Sequence, residues 1–234
     1  AKLMTMKNIF IYTIVSLFFC CAACNDDDEN GSVKVSPDAK GVYTDERDGH
    51  EYNWIRYGNL EWMVENMRFE AEEGYYNVYI PSDLTDKEYD LMFEKNYSVY
   101  GYLYDWEAAL SVVPEGWRLP TDEDWKALEI GLGMSFVEAE RIGWRGNMDG
   151  NFLRQEDFLH LQTGGFYDCR LGTYTTEYVP CNISVCGMFW SASKDEMKSE
   201  EAYIFREVRY NSGQINRNST IKEKLMSVRC VRDV

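Results

Sequence analysis

The stretch VVPEGWRLPTDEDWKAL, residues 112–128, constrains this chain more than any other. Pro114 lacks a backbone donor and Gly116 weakens a helix, so no helix runs through them. A new helix is expected at Thr121, whose hydroxyl can accept from the backbone N–H of Asp124 while the Asp124 carboxylate reaches back. This is a capping box with Asp in place of the usual Glu or Gln. Asp122, Glu123 and Asp124 fill the first turn, where the helix dipole favours negative charge by about 0.3–1 kcal/mol each. Trp125 and Leu128 share a face, and Gly131 and Gly133 end the helix. Three consecutive acids on one turn point different ways. They read as cap and dipole partners, since a catalytic pair needs two carboxylates in opposed environments. Trp117, Leu119 and Trp125 are expected in the core.

Around this block the pattern alternates by region. Residues 41–67 read as short strands, with turn signals at Asp48-Gly49 and Gly58-Asn59 and β-prone Val42, Tyr52, Trp54, Ile55, Trp62 and Val64. Residues 82–96 predict a helix with Leu84, Leu91 and Met92 on one face. Trp106, Ala109, Leu110 and Val113 form a second helical stripe, and residues 135–142 a third helix beyond the capped one. GWRGNMDGN, from Gly143, reads as a glycine-rich loop. Strands return at 158–163 and at FWSAS, 189–193. AYIFREVRY and QINR form a hairpin across Asn211-Ser212-Gly213, and SVRCVRDV a last strand. Strands at both ends with two to three helices between predict an α+β fold.

The N-terminus gives an address. Lys2 and Lys7 precede an uncharged, mostly apolar run, Asn8 to Ala23. That is short of the about 20 apolar residues a spanning helix needs, and it suits a secretory signal. Ala22-Ala23-Cys24 resembles a bacterial lipobox, better than Cys20 or Cys21, although Cys21 stands where Leu is usual. The expectation is a lipoprotein signal over 1–23, with Cys24 lipidated by a fatty acid such as palmitate. Residues 24–40 then form an acidic flexible tether, and 41–234 a single domain. NDDDEN after Cys24 resembles the surface-export signal of Bacteroidota lipoproteins, with a spacer facing the periplasm as the alternative. The formal charge of −16 speaks against nucleic acid, which needs a basic face.

GVYTDERDGHEY, WMVENM, GYLYDWEAA, PEGWRLPTDEDW, GWRGNMDGNFL, GGFYD, FWSAS and SVRCVRDV follow one another in this order. Together they resemble the Fibrobacter succinogenes major paralogous domain, over nearly everything after the tether. WRLPTDEDW also resembles a segment of formylglycine-generating-enzyme domains. The resemblance implies a C-type-lectin-like fold and leaves activity open. Members of that family often carry Cys before PEGW, bridged to the Cys of the final VRCV. Here that position is Val113, which leaves Cys230 without its usual partner. Cys169, Cys181, Cys186 and Cys230 allow several pairings, with Cys181 and Cys186 bracketing a short loop.

Little in the sequence reads as chemistry. His50 and His160 stand in no metal spacing. His50 is expected in solvent and His160 in a strand. Asn147 to Asn151 holds part of a calcium-loop pattern, but Arg145 falls where the first acidic ligand belongs. No catalytic residue, metal or cofactor is expected, and the chain reads as a non-enzyme. Aromatic faces remain: Tyr75, Tyr76 and Tyr79 in EEGYYNVYI, and Tyr174 and Tyr178 in the loop 173–187. They serve either as ligand-contact surfaces or as packing. The expectation is a lipid-anchored protein of the outer membrane, facing the cell exterior, that binds glycan or protein through its loops. The alternative is a structural or accessory lipoprotein of an outer-membrane nutrient-uptake or adhesin complex. Cys24→Ala abolishes incorporation of radiolabelled palmitate in the producing cells; label retained by the variant would sink the anchor assignment.

Overall fold

The computed structural model describes residues 36–171, 176–198 and 200–234. Cys24 and Tyr174 lie outside them. Strands β1 (Ala39–Thr44), β2 (Glu51–Tyr57) and β3 (Leu60–Met63) form a meander. Its turns fall at the two expected places, with Gly49 and Gly58 in left-handed conformations at φ 78° and 61° that favour glycine. The ribbon strand β4 (Tyr75–Asn77) precedes helix α1 (Asp86–Tyr100), strand β5 (Tyr102–Tyr104) and helix α2 (Trp106–Ser111). Then come α3 (Asp122–Gly131), α4 (Phe136–Ala139), β6 (Gly143–Arg145) and α5 (Asp149–Arg154). The rest is β7 (Phe166–Leu171), β8 (Thr176–Cys181), β9 (Cys186–Lys194), β10 (Tyr203–Arg209), β11 (Ile215–Thr220) and β12 (Val231–Asp233).

These make two antiparallel four-stranded sheets, in the orders β1-β2-β3-β12 and β6-β11-β10-β9, and two ribbons, β4-β5 and β7-β8. The fold is α+β with short helices between antiparallel sheets. Residues 225–231 run between the sheets. Their backbone meets Tyr167 at Leu225, Tyr104 at Met226, Phe189 at Ser227 and Arg118 at Val231.

Helix α3 is built as the opening block requires. Thr121 and Asp124 form the capping box in both directions, and Trp125 and Leu128 are buried among Ile55, Trp62, Phe189, Val208 and Val231. Trp117 and Leu119 enter the second core cluster with Tyr52, Tyr104, Trp190 and Cys230.

The three acids do part ways. Asp124 also grips Arg118, with the closer contact at 2.5 Å, and Glu123 faces solvent. Asp122 does more than complement the dipole. It is buried, with Arg206 at 2.8 Å and Arg217 at 2.5 Å. Two turns further along the helix, Glu129 bridges Arg145 at 2.5 Å and Arg206 at 2.6 Å. Helix α3 is thus bolted to β6, β10 and β11 by paired charges.

Several expectations fail locally. Residues 158–163 are turn and coil, because their carbonyls and amides serve their own loop and Arg229: His160 N bonds Gln155 O, and Leu159 O accepts from Arg229 at 2.8 Å. His160 sits at φ 49°, outside any strand geometry. His50 is half-buried rather than solvated, its ring 2.7 Å from Arg68 Nη1. The glycine-rich loop at 143–151 contains β6 and the start of α5. The third expected helix shrinks to Phe136–Ala139 behind Ser135 as cap. Leu91, expected on a packed face of α1, is 64 % exposed, and α1 buries no residue. Leu110 is exposed too; Ala108, Ala109 and Val112 are the buried positions of the α2 region. All four described cysteines are thiols, with Cys186 and Cys230 buried. Val113 packs on the cluster that holds Cys230.

Burial opposes ionisation of Asp122, but the hydrogen bonds and charges of Arg217 and Arg206 outweigh it and hold the carboxyl at about 2. Its folded value lies below the unfolded one, so its contribution is full above about pH 4 and lost as pH falls toward about 2. Asp122→Asn therefore destabilises the protein by about 3 kcal/mol near neutrality. Urea unfolding across pH shows the gap between wild type and variant narrowing by about 2 kcal/mol over that window. A gap that stays constant to pH 2 would refute the assignment.

Candidate binding site

A strand sends neighbours to opposite faces, and β4 does so with two adjacent tyrosines. Tyr75 turns inward, edge-on to Tyr102 with ring centres 5.0 Å apart, and is a packing residue. Tyr76 turns outward and is 48 % exposed. Its ring lies 5.2 Å from that of Tyr178 and 5.7 Å from that of Tyr167. Two of the sequence candidates are thus brought together from distant stretches. The reason is the segment 225–231: the β4-β5 ribbon is tied to Met226 through Tyr104, and the β7-β8 ribbon to Leu225 through Tyr167. Tyr79 is exposed, and its carbonyl accepts from Asn96 Nδ2 at 3.5 Å.

Beside the Tyr76–Tyr178 pair lies a cleft of about 570 Å³, within the range of small-molecule sites. Tyr178 forms part of its wall, with residues 69–74 and one side of α2, from Asp105 to Val112, as the rest. Glu70, Glu72, Glu73, Asp105 and Glu107 line it, and none of the described lining residues is basic. Lys222 reaches Glu107 at 2.6 Å. Tyr102 donates its hydroxyl to Glu70 at 2.9 Å, which fixes one carboxylate against the core.

Asp105 is set by its own helix. As the N-cap of α2 it accepts from Ala108 N at 2.8 Å. Burial pushes its carboxyl up, and the negative Glu107 adds to the effect against that bond. Gly74 makes the approach possible. At φ +74° it favours glycine, its carbonyl accepts from Asp105 N at 2.8 Å, and a Cβ there would strike the Asp105 carboxylate.

This arrangement offers aromatic faces for stacking and a row of carboxylates that accept hydrogen bonds. It suits a polyhydroxylated neutral group or a cation, and its field repels an anion. The acids of the cleft were not singled out from the sequence, where Glu72-Glu73 and Asp105 resemble a solvated loop and a cap. The available signal was Asp105 itself, in the N-cap position before the Trp106 stripe.

The family described as the Fibrobacter succinogenes major domain matches residues 55–232. The chain belongs to this family. No curated protein and no solved structure matches it at a significant level. Gly74→Ala costs at least about 1 kcal/mol in urea unfolding, because it adds left-handed strain to a collision with Asp105. An unchanged midpoint would show that the 74–105 approach relaxes freely.

Proposed function

We propose that the protein is a lipid-anchored, non-enzymatic binding protein of the outer cell surface. It takes a neutral glycan, or a protein segment free of negative charge, at Tyr76, Tyr178 and the adjoining acidic cleft. The observation that carries this reading is the pair itself. The exposed Tyr76 ring, held against the half-buried Tyr178 ring beside a concave carboxylate-lined wall, supplies stacking and hydrogen bonding together. The lipobox-like Cys24 and the acidic tether support surface display. The antiparallel α+β build supports kinship with C-type-lectin-like domains, though the sugar-and-calcium motifs Glu-Pro-Asn and Trp-Asn-Asp of those lectins are missing from the sequence.

One observation favours the second reading, an accessory lipoprotein docked on an outer-membrane uptake or adhesin complex. Tyr89, Met92 and Val99 of α1 are exposed on one side of the helix, a face on which a partner protein could sit. Co-purification from membranes separates the two, since a stoichiometric partner points to the accessory role.

On arrays of neutral glycans and of host proteins, the protein retains ligand. Tyr76→Ala and Tyr178→Ala each weaken binding about tenfold, and both variants keep the wild-type unfolding midpoint within about 1 kcal/mol. Absence of binding on every array would count against the reading, and so would equal binding by both variants.

A further inference from the structure

Among the described residues three arginines are wholly buried: Arg145, Arg206 and Arg229. The first two face carboxylates, Arg145 on Glu129 and Arg206 on Glu129 and Asp122. Arg229 has no carboxylate within ion-pair distance among the described residues. Its Nη1 donates to the carbonyls of Met63 at 3.0 Å, Val64, and Leu159 at 2.8 Å, and its Nη2 to Asn66 Oδ1 at 2.7 Å. Its Nε has no partner. Carbonyl dipoles satisfy donors but do not neutralise a cation, and a buried unpaired charge is costly. Burial pushes the Arg229 guanidinium down to about 9, so it still carries its charge at neutral pH.

A pocket of about 250 Å³ opens against Arg229. Arg68 lines it too, and the Nε of Arg68 is a second buried guanidinium nitrogen without a partner. The other Arg68 nitrogens are engaged, Nη1 with His50 at 2.7 Å and Nη2 with Ser98 O at 2.6 Å. His160, Gln162 and Ser98 add polar wall. One carboxylate, Glu65, stands on the lining, and it is occupied by Asn53 N at 2.8 Å and Asn53 Nδ2 at 2.7 Å. The volume falls just below the range of drug-sized sites and suits a single charged head group.

We propose that this pocket is an oxyanion site, in which a sulfate, phosphate or carboxylate group sits against Arg229 and Arg68. Guanidinium groups match these anions in charge, and the two Nε–H groups left without partners are the donors to be satisfied. The pocket shares no lining residue with the acidic cleft and has the opposite charge. It is therefore a second site, distinct from the acidic cleft. A ligand carrying both a neutral polyhydroxyl part and an acidic part is one source of the group, and a free inorganic anion is another.

Isothermal titration of the full chain with sodium sulfate, sodium phosphate and sodium glucuronate, at ionic strength held constant with chloride, tests this. At least one anion binds saturably with unit stoichiometry. Tighter sulfate or phosphate assigns a tetrahedral group, and tighter glucuronate a sugar carboxylate. Arg68→Gln weakens the binding at least tenfold, and Glu65→Gln strengthens it by removing the lone opposing charge. Arg229→Met abolishes it. That variant also loses four internal hydrogen-bond contacts, so the two rim variants keep the test decisive if it fails to fold. No saturable binding of any of the three anions overturns the proposal. Binding unchanged in both Arg68→Gln and Glu65→Gln overturns it equally, since the anion would then lie elsewhere.

Discussion

The structure depends on one buried thread, residues 225–231. Every side chain from Leu225 to Val231 is fully buried. Its backbone closes the exposed edge of β9 through Trp190 N to Ser227 O at 3.2 Å and Ser227 N to Met188 O at 2.9 Å. It then meets the first sheet at Met63 N to Cys230 O, 3.0 Å, before becoming β12. A sheet edge is a row of unmet donors and acceptors, and here one extended segment meets the edges of both sheets and the two ribbons. Three core clusters lie against it, with Leu225 in one, Met226, Val228 and Cys230 in another and Val231 in the third. A segment that is apolar apart from Ser227 and Arg229 suits a position buried on every side.

Much of this was legible from residue order. The capping box at Thr121, the hairpin at Asn211–Gly213 and the turns at Gly49 and Gly58 are local chemistry, and local chemistry is what a sequence displays. The failures are non-local. Residues 158–163 alternate like a strand, yet their backbone is claimed by Gln155 and Arg229, the latter distant in the chain. Leu91 and Met92 keep helical spacing, but no other element among the described residues covers them. Asp122 reads as a dipole partner alone, because its arginine partners lie on the distant β10 and β11. The site was half legible. The tyrosines were visible as candidates, but which of two adjacent rings faces out is decided by the pairing of β4 with β5.

The charge of the chain is unevenly spent. Arg145, Arg206, Arg217 and Arg229 are drawn inward to brace helices and strands, the first three against the buried acids Asp122 and Glu129. The acidic cleft is the opposite case, a concave place where five carboxylates gather with no basic residue among its described lining. The same inward use of arginine makes Arg229 conspicuous, because it alone of the wholly buried three lacks an acid.

The thread also sets an order of events. Apart from β12, it is synthesised after every element it joins. Until it emerges, β9 keeps a bare edge and three core clusters lack their shared wall, so a nascent chain has no complete core to collapse upon. Folding waits on the thread itself. A product that stops before Leu225 would remain an open, protease-sensitive polypeptide and would not persist as a damaged but folded one.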